Sequence, residues 1–185
     1  MSSVFQVRIH GRGGQGVVTA AELLSVAAFL DGAHAQAFPS FGSERTGAPV
    51  VAFCRIDERP IRAREPIVAP DALIIQDPTL LHQVDVFGGL RPGGHVLLNS
   101  TRTAAELGLG ELDVICVPAS DLARRHLGKP LPNAALLGAF AALTGVVTLG
   151  SVAAAIRERF ASAPAEANIT AAEAAFALIP EPSHA

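Results

Sequence analysis

Six residues, Gly11-Arg12-Gly13-Gly14-Gln15-Gly16, stand between an apolar run from Val4 to His10 and a helix-like run from Val17 to Leu30. Strand, glycine turn and helix start in that order commit the chain to a βα unit. Because Gly11, Gly13, Gly14 and Gly16 carry no side chain, backbone amides can approach an anion closely, and the positive end of the helix dipole points at the same place. Arg12 adds a full charge. Residues 11–16, Gln15 among them, are therefore candidate binding residues for a phosphate-bearing ligand, and a tight turn that only packs is the alternative.

The spacing also satisfies G-x-G-x-x-G in the strand-to-helix context of a dinucleotide site. Such a site needs an acid at the end of the second strand, about 20 residues further on, to hold the ribose. The chain reads Ala33-His34-Ala35-Gln36-Ala37-Phe38 there, and the nearest acid, Asp31, is placed to close the helix together with Gly32. A nicotinamide nucleotide is disfavoured on that ground.

Strand-like and helix-like segments alternate along the chain, which argues for layered α/β architecture. Expected strands are Val4–His10, His34–Phe38, Val50–Asp57, Ala72–Gln76, His95–Asn99 and Asp113–Val117. Continuous apolar runs such as Leu73-Ile74-Ile75 are the pattern of strands covered on both faces. Expected helices are Val17–Leu30, one capped by Ser120 and ended by Gly128, then Ala134–Thr144, Ser151–Phe160 and Ile169–Leu178. The fold class is α/β: a single layered domain over residues 1–185, with a Rossmann-like, mostly parallel sheet flanked by helices and a loose tail at 180–185. Half of the residues are hydrophobic, enough for one good core in a chain of 185.

A net charge of −3 with no basic stripe gives no footprint for nucleic acid. The most apolar window, Ala134–Leu143, is about half the length that spans a bilayer, so it reads as a buried or interface helix. The start Met1-Ser2-Ser3-Val4-Phe5 has no basic or long apolar stretch of a secretory signal, and a cytoplasmic protein is expected. Cys54 and Cys116 sit in separate apolar runs as core thiols, and the six histidines show no zinc-binding spacing, so this chain is expected to hold neither cluster nor metal. Asn168-Ile169-Thr170 fits a glycosylation sequon and, without secretion, reads as a helix cap.

The stretch from Ala37 to Pro49 is too long and chemically mixed for a simple hairpin. Phe38 and Phe41 offer apolar anchors, Gly42 and Gly47 hinges, and Ser43, Glu44, Arg45 and Thr46 a hydroxyl, an acid, a guanidinium and a second hydroxyl. Arg45 clamping a phosphate or carboxylate stands against a surface loop with a Glu44–Arg45 ion pair. No G-x-S-x-G elbow is present, and no catalytic residue is assigned. A charged cluster from Arg55 to Glu65 reads as a hairpin that is either a solvated edge or a docking surface.

Taken together, Arg8–Gly16, Ala35–Pro39, Phe41–Pro49, Pro70-Asp71, Gln76–Leu81 and Pro132-Asn133 resemble the gamma subunit of the pyruvate-type 2-oxoacid:acceptor (ferredoxin) oxidoreductases that acylate coenzyme A. The resemblance implies oxidative decarboxylation of pyruvate or a related 2-oxo acid to acyl-coenzyme A and CO2 by a multi-subunit enzyme, in which this chain is not catalytic alone. Thiamine diphosphate, Mg2+ and iron–sulfur clusters of the 4Fe-4S type would be held by alpha, beta and delta-type partners. Electrons would pass to ferredoxin, or to NAD through a flavin subunit. This chain would line part of the coenzyme A site: Gly11–Gly16 on phosphate, Glu44 in the same loop motif, Arg45 neutralising charge, Thr46 and Asn133 donating hydrogen bonds. Asn133 also fits a helix N-cap before Ala134. Thr46 departs from the family's Glu-Arg-Arg-Gly form, which implies a weaker or differently placed phosphate grip. Other readings are the same complex acting on an aromatic 2-oxo acid such as phenylglyoxylate, a purely structural assembly subunit, and a free-standing nucleotide-binding oxidoreductase.

Overall fold

The computed structural model describes residues 3–40 and 45–181. Alternation along the first strand, β1 (Phe5–Arg12), decides how the rest is arranged. Val7 and Ile9 are fully buried on one face, while Gln6, Arg8 and His10 point to the other. The glycine turn follows at once, and α1 (Val17–Leu30) packs back across β1 and its neighbours.

Five further strands complete one sheet: β2 (His34–Pro39), β3 (Pro49–Asp57), β4 (Ala72–Ile75), β5 (His95–Asn99) and β6 (Val114–Val117). Their order is β2-β3-β1-β4-β5-β6. β4, β5 and β6 run parallel to β1, whereas β3 is antiparallel to both β1 and β2. The sheet is thus mostly parallel, with β3 the exception. β4 is buried at all four positions, as its unbroken Ala-Leu-Ile-Ile run demands.

Four more helices follow: α2 (Ala119–Leu127), α3 (Asn133–Thr144), α4 (Leu149–Arg159) and α5 (Ser162–Leu178). All five helices share one core with Val7, Ile9, Ala52, Cys54, Ala72, Ile74 and Leu97 of the sheet. Over β4 to β6 the opposite face is closed by a 3-10 turn, Pro78–His82, and by the loops around it, through Leu80, Val86, Leu73, Ile75, Val96 and Leu98. α3 is buried from Asn133 to Ala141, so its apolar sequence serves this chain's own core. It approaches α5 so closely that a Cβ on Gly138 would overlap the backbone of Ala172.

Several expected boundaries shift for local reasons. α5 starts at Ser162, because Pro164 sits in its first turn, where a missing N–H costs nothing. Asn168 is therefore inside the helix, buried, with its amide donating to the Pro164 carbonyl at 2.8 Å, and is not a cap. Ser120 does not cap α2. Pro118 holds that position, and Ser120 instead exchanges hydrogen bonds with Asn99, from its N–H to Oδ1 at 3.1 Å and at its hydroxyl from Nδ2 at 2.8 Å. Pro132 likewise precedes α3, which makes Asn133 its first residue rather than its cap. Residues 58–71 form no hairpin; β3 ends at Asp57 and the chain crosses to β4 through loop. Phe41, Gly42, Ser43 and Glu44, together with 182–185 of the expected tail, lie outside the described residues.

Candidate functional site

The carboxyl ends of β1, β4 and β5 lie side by side, and the glycine turn is built across them. In open α/β sheets this is where ligands collect. Gly11 has no room for a Cβ, which would strike the Val17 side chain. Gly13 is equally tight against the Arg45 carbonyl oxygen, with the carbonyl carbon 2.9 Å from where a Cβ would stand. This close approach zips two segments together: Gly13 N–H donates to the Ala48 carbonyl at 2.9 Å and Gly47 N–H to the Gly13 carbonyl at 3.0 Å. Gly13 and Thr46 form an isolated parallel bridge. The structure thus brings Arg45 and Thr46, 30 residues downstream by sequence, against the turn.

Gly16 takes the left-handed conformation, φ +72°, and opens α1 without any side-chain cap. Among the described residues, no acceptor is engaged by the N–H groups of Gly14, Gly16, Val17 or Val18. A row of amides at a positive helix end is thereby left for something else. Asn133, at the start of α3, meets the same spot: its Nδ2 lies 2.8 Å from where a Gly16 Cβ would be. Its Oδ1 is turned away to the Ala134 N–H at 3.0 Å. Two helix starts therefore face one another across Gly16, with an amide donor between them.

The Arg12 guanidinium is directed elsewhere than to that row. It lies 3.2 Å from the Asp77 carboxylate and donates to Thr79 Oγ1, Gln83 Oε1 and the Gly47 carbonyl at 2.7 to 3.1 Å. Gln15 is also engaged: its Oε1 accepts from Arg12 N–H at 2.8 Å and its Nε2 donates to Asp77 at 2.8 Å. Burial alone would raise the Asp77 carboxyl, but hydrogen bonds from Thr79 and Gln15 and the Arg12 charge outweigh it and hold the group below the usual carboxylate range. Gln76, almost fully buried, donates from Nε2 to the Gln15 carbonyl at 2.9 Å. Thr79 also borders an open hollow of about 290 Å3 lined by His82, Ser100, Arg102 and Leu107.

One residue before the turn, His10 is buried and accepts at Nε2 from Arg8 Nε at 2.9 Å, which places its own proton on Nδ1. Burial and then the Arg8 charge push His10 down to about 4, so the ring is neutral. Arg8 spends its other donors on the carbonyls of Ile67, Val86 and Gly88, stitching two loops beneath β1.

Of the expected site residues, Gly11, Arg12, Gly13, Gly14, Gln15, Gly16, Arg45, Thr46 and Asn133 converge on one region, with Arg45 and Thr46 exposed. Glu44 lies outside the described residues. Asp77, Thr79 and Gln83 carry no such role in the sequence pattern. Their signal is positional: they follow β4, the strand that turns out to lie beside β1, and pairing order is not written in local sequence. Asp31, the nearest acid to the turn, ends α1 and accepts from the Thr148 and Ser151 hydroxyls and from Thr148 N–H, so it holds Thr148, the N-cap of α4, and is not placed for a ribose. Among the described residues, no group of three or more His, Cys, Asp or Glu could hold a metal ion, and no helix is long and apolar enough to cross a membrane.

Known proteins align with the chain over nearly its whole length. The family model described as pyruvate ferredoxin/flavodoxin oxidoreductase matches residues 6–178. The pyruvate/ketoisovalerate oxidoreductases common subunit gamma of Thermococcus kodakarensis is 48% identical, covering 94% of this chain and 96% of that protein. Pyruvate synthase subunit PorC of Methanosarcina barkeri is 51% identical over 82% of this chain and 84% of its own length. The crystal structure of pyruvate oxidoreductase subunit PORC from Thermotoga maritima superposes with a TM-score of 0.83 at 32% identity, covering 94% of this chain and 96% of that one. With the family model spanning residues 6–178 and relatives 48% and 51% identical over most of both chains, the chain belongs to the pyruvate ferredoxin/flavodoxin oxidoreductase family.

Proposed function

We propose that this chain is the gamma subunit of a multi-subunit 2-oxoacid oxidoreductase, acting on pyruvate or a related 2-oxo acid, and that it supplies part of the coenzyme A site. The observation that carries the second part is the uncapped start of α1. The N–H groups of Gly14, Gly16, Val17 and Val18 have no acceptor among the described residues, and Asn133 Nδ2 stands beside them. A phosphate of coenzyme A supplies the oxygens that such amides lack, and the helix dipole favours its charge.

On this reading the turn holds phosphate on backbone amides, the Arg45 guanidinium neutralises it from the loop zipped to Gly13, and Thr46 and Asn133 add hydrogen-bond donors. The small residues exclude bulk from the site, and the turn orients the cofactor without moving a proton. Thiamine diphosphate, Mg2+ and iron–sulfur clusters, which supply decarboxylation and electron removal when bound, belong to alpha, beta and delta-type partners. Ferredoxin, or NAD through a flavin subunit, accepts the electrons beyond this chain. A cytoplasmic location fits such an assembly.

Steady-state kinetics of the assembled enzyme test the reading. Arg45→Ala removes one charge-assisted contact and is expected to raise the KM for coenzyme A about tenfold while leaving the KM for the 2-oxo acid unchanged. An unchanged coenzyme A dependence, with assembly altered instead, would favour a purely structural subunit.

A further inference from the structure

We infer that Arg12 is a positioning residue: paired with Asp77, it braces loop 45–48 against the 3-10 turn at Pro78–His82, and it gives no charge to a bound anion. A guanidinium has five N–H donors. Nε faces Asp77 Oδ2 at 3.2 Å and Thr79 Oγ1 at 3.1 Å, Nη1 donates to the Gly47 carbonyl at 3.0 Å, and Nη2 reaches Thr79 Oγ1 at 2.7 Å and Gln83 Oε1 at 2.8 Å. Four of the five donors are therefore committed to protein acceptors.

Asp77 cannot be traded for a ligand anion at low cost, because it is held from three other directions. Thr79 N–H and Oγ1 donate to Oδ1 at 2.9 and 2.6 Å, and Gln15 Nε2 donates to Oδ2 at 2.8 Å. The pair is largely withdrawn from water, with side chains 17% and 15% exposed, so its mutual attraction is weakly screened. An anion approaching Arg12 meets a fixed carboxylate on the same guanidinium, and the local charge sums to zero. What Arg12 does control is geometry: it is the side chain that ties the end of β1, the loop touching Gly13 and the segment after β4 into one piece. A lysine keeps the charge but not the fork that reaches all three.

The inference rests on the coenzyme A reading only for what the brace positions, so the two are read out separately in the assembled enzyme. Backbone hydrogen exchange of segment 45–48 reports the brace, and the coenzyme A KM reports the ligand. Arg12→Gln, Arg12→Lys and Asp77→Asn are each expected to speed exchange in that segment about tenfold, the loss of one charge-assisted hydrogen bond. Each should also raise the coenzyme A KM with kcat within about twofold, the mark of lost uniform binding. The double variant Arg12→Gln with Asp77→Asn should be no worse than either single, because both remove one unit. Faster exchange with an unchanged coenzyme A KM upholds the brace and removes the coenzyme A reading of the turn. The brace is overturned if Arg12→Lys keeps native protection, if exchange is unchanged in all variants, or if Asp77→Asn lowers the coenzyme A KM, since freeing the guanidinium would then help the anion.

Discussion

Gly13→Ala isolates the close approach on which the site is built. Gly13 does not have a positive φ, so alanine fits its backbone conformation and any cost is steric. The added Cβ falls against the Arg45 carbonyl oxygen, and ordinary contact begins at 3.4 Å. The Arg45 peptide must therefore retreat by about 1 Å, which stretches two hydrogen bonds that now stand at 2.9 and 3.0 Å. Losing both costs about 2 kcal/mol. Overpacking adds about 1–3 kcal/mol, and the stiffer unfolded chain returns up to about 1 kcal/mol. The net expectation is a loss of about 2–5 kcal/mol in urea denaturation of the purified chain. Gly47→Ala is the control in the same loop. Its φ is +82° with nothing within 4 Å, so only backbone strain of about 1–2 kcal/mol applies. Gly13→Ala should be the worse of the two, and in the assembled enzyme it should also raise the coenzyme A KM. Equal stabilities of Gly13→Ala and the native chain would refute the packing argument.

Two further outcomes follow from the core and from titration. Gly138→Ala places a Cβ on the backbone of Ala172 and should cost upwards of about 2 kcal/mol as α3 and α5 separate, whereas Gly150→Ala, in the open first turn of α4, should gain up to about 1 kcal/mol in the same denaturation series. His10 is depressed from 6.5 to about 4 in the folded chain. The unfolded chain therefore binds the proton that the folded chain refuses, and stability present above pH 6.5 is lost as pH falls from 6.5 towards 4, about 3 kcal/mol in all. Denaturation midpoints from pH 4 to 8 check the sign, and a flat profile in His10→Gln assigns the slope to this ring. Asp77 and Asp31 are also held below their ordinary value of 3.8, so their contribution is lost only at lower pH.

The local patterns in this chain are those whose physics is local. The glycine turn, the span of α1 from Val17 to Leu30 and the strand β5 from His95 to Asn99 are legible because period, small residues and caps lie within a few positions of one another. The family is legible for the same reason: its motifs sit in short runs. Boundaries slip where a residue has two local meanings. Ser120 and Asn133 look like caps, and each is instead inside a helix, held by Asn99 in one case and facing Gly16 in the other.

Sequence alone determined that a glycine turn joins the first strand to the first helix, that the chain is layered α/β, and which side chains could accompany the turn. Tertiary structure decided which of them do. Strand order places β4 beside β1, and only then does Asp77 meet Arg12. The antiparallel β3 returns Ala48 and Gly47 to Gly13, and only then does Arg45 come near the start of α1. A charge read from sequence is a charge available in principle. Whether it faces a ligand or a neighbouring carboxylate depends on contacts between residues 35 to 71 positions apart, which no local pattern encodes.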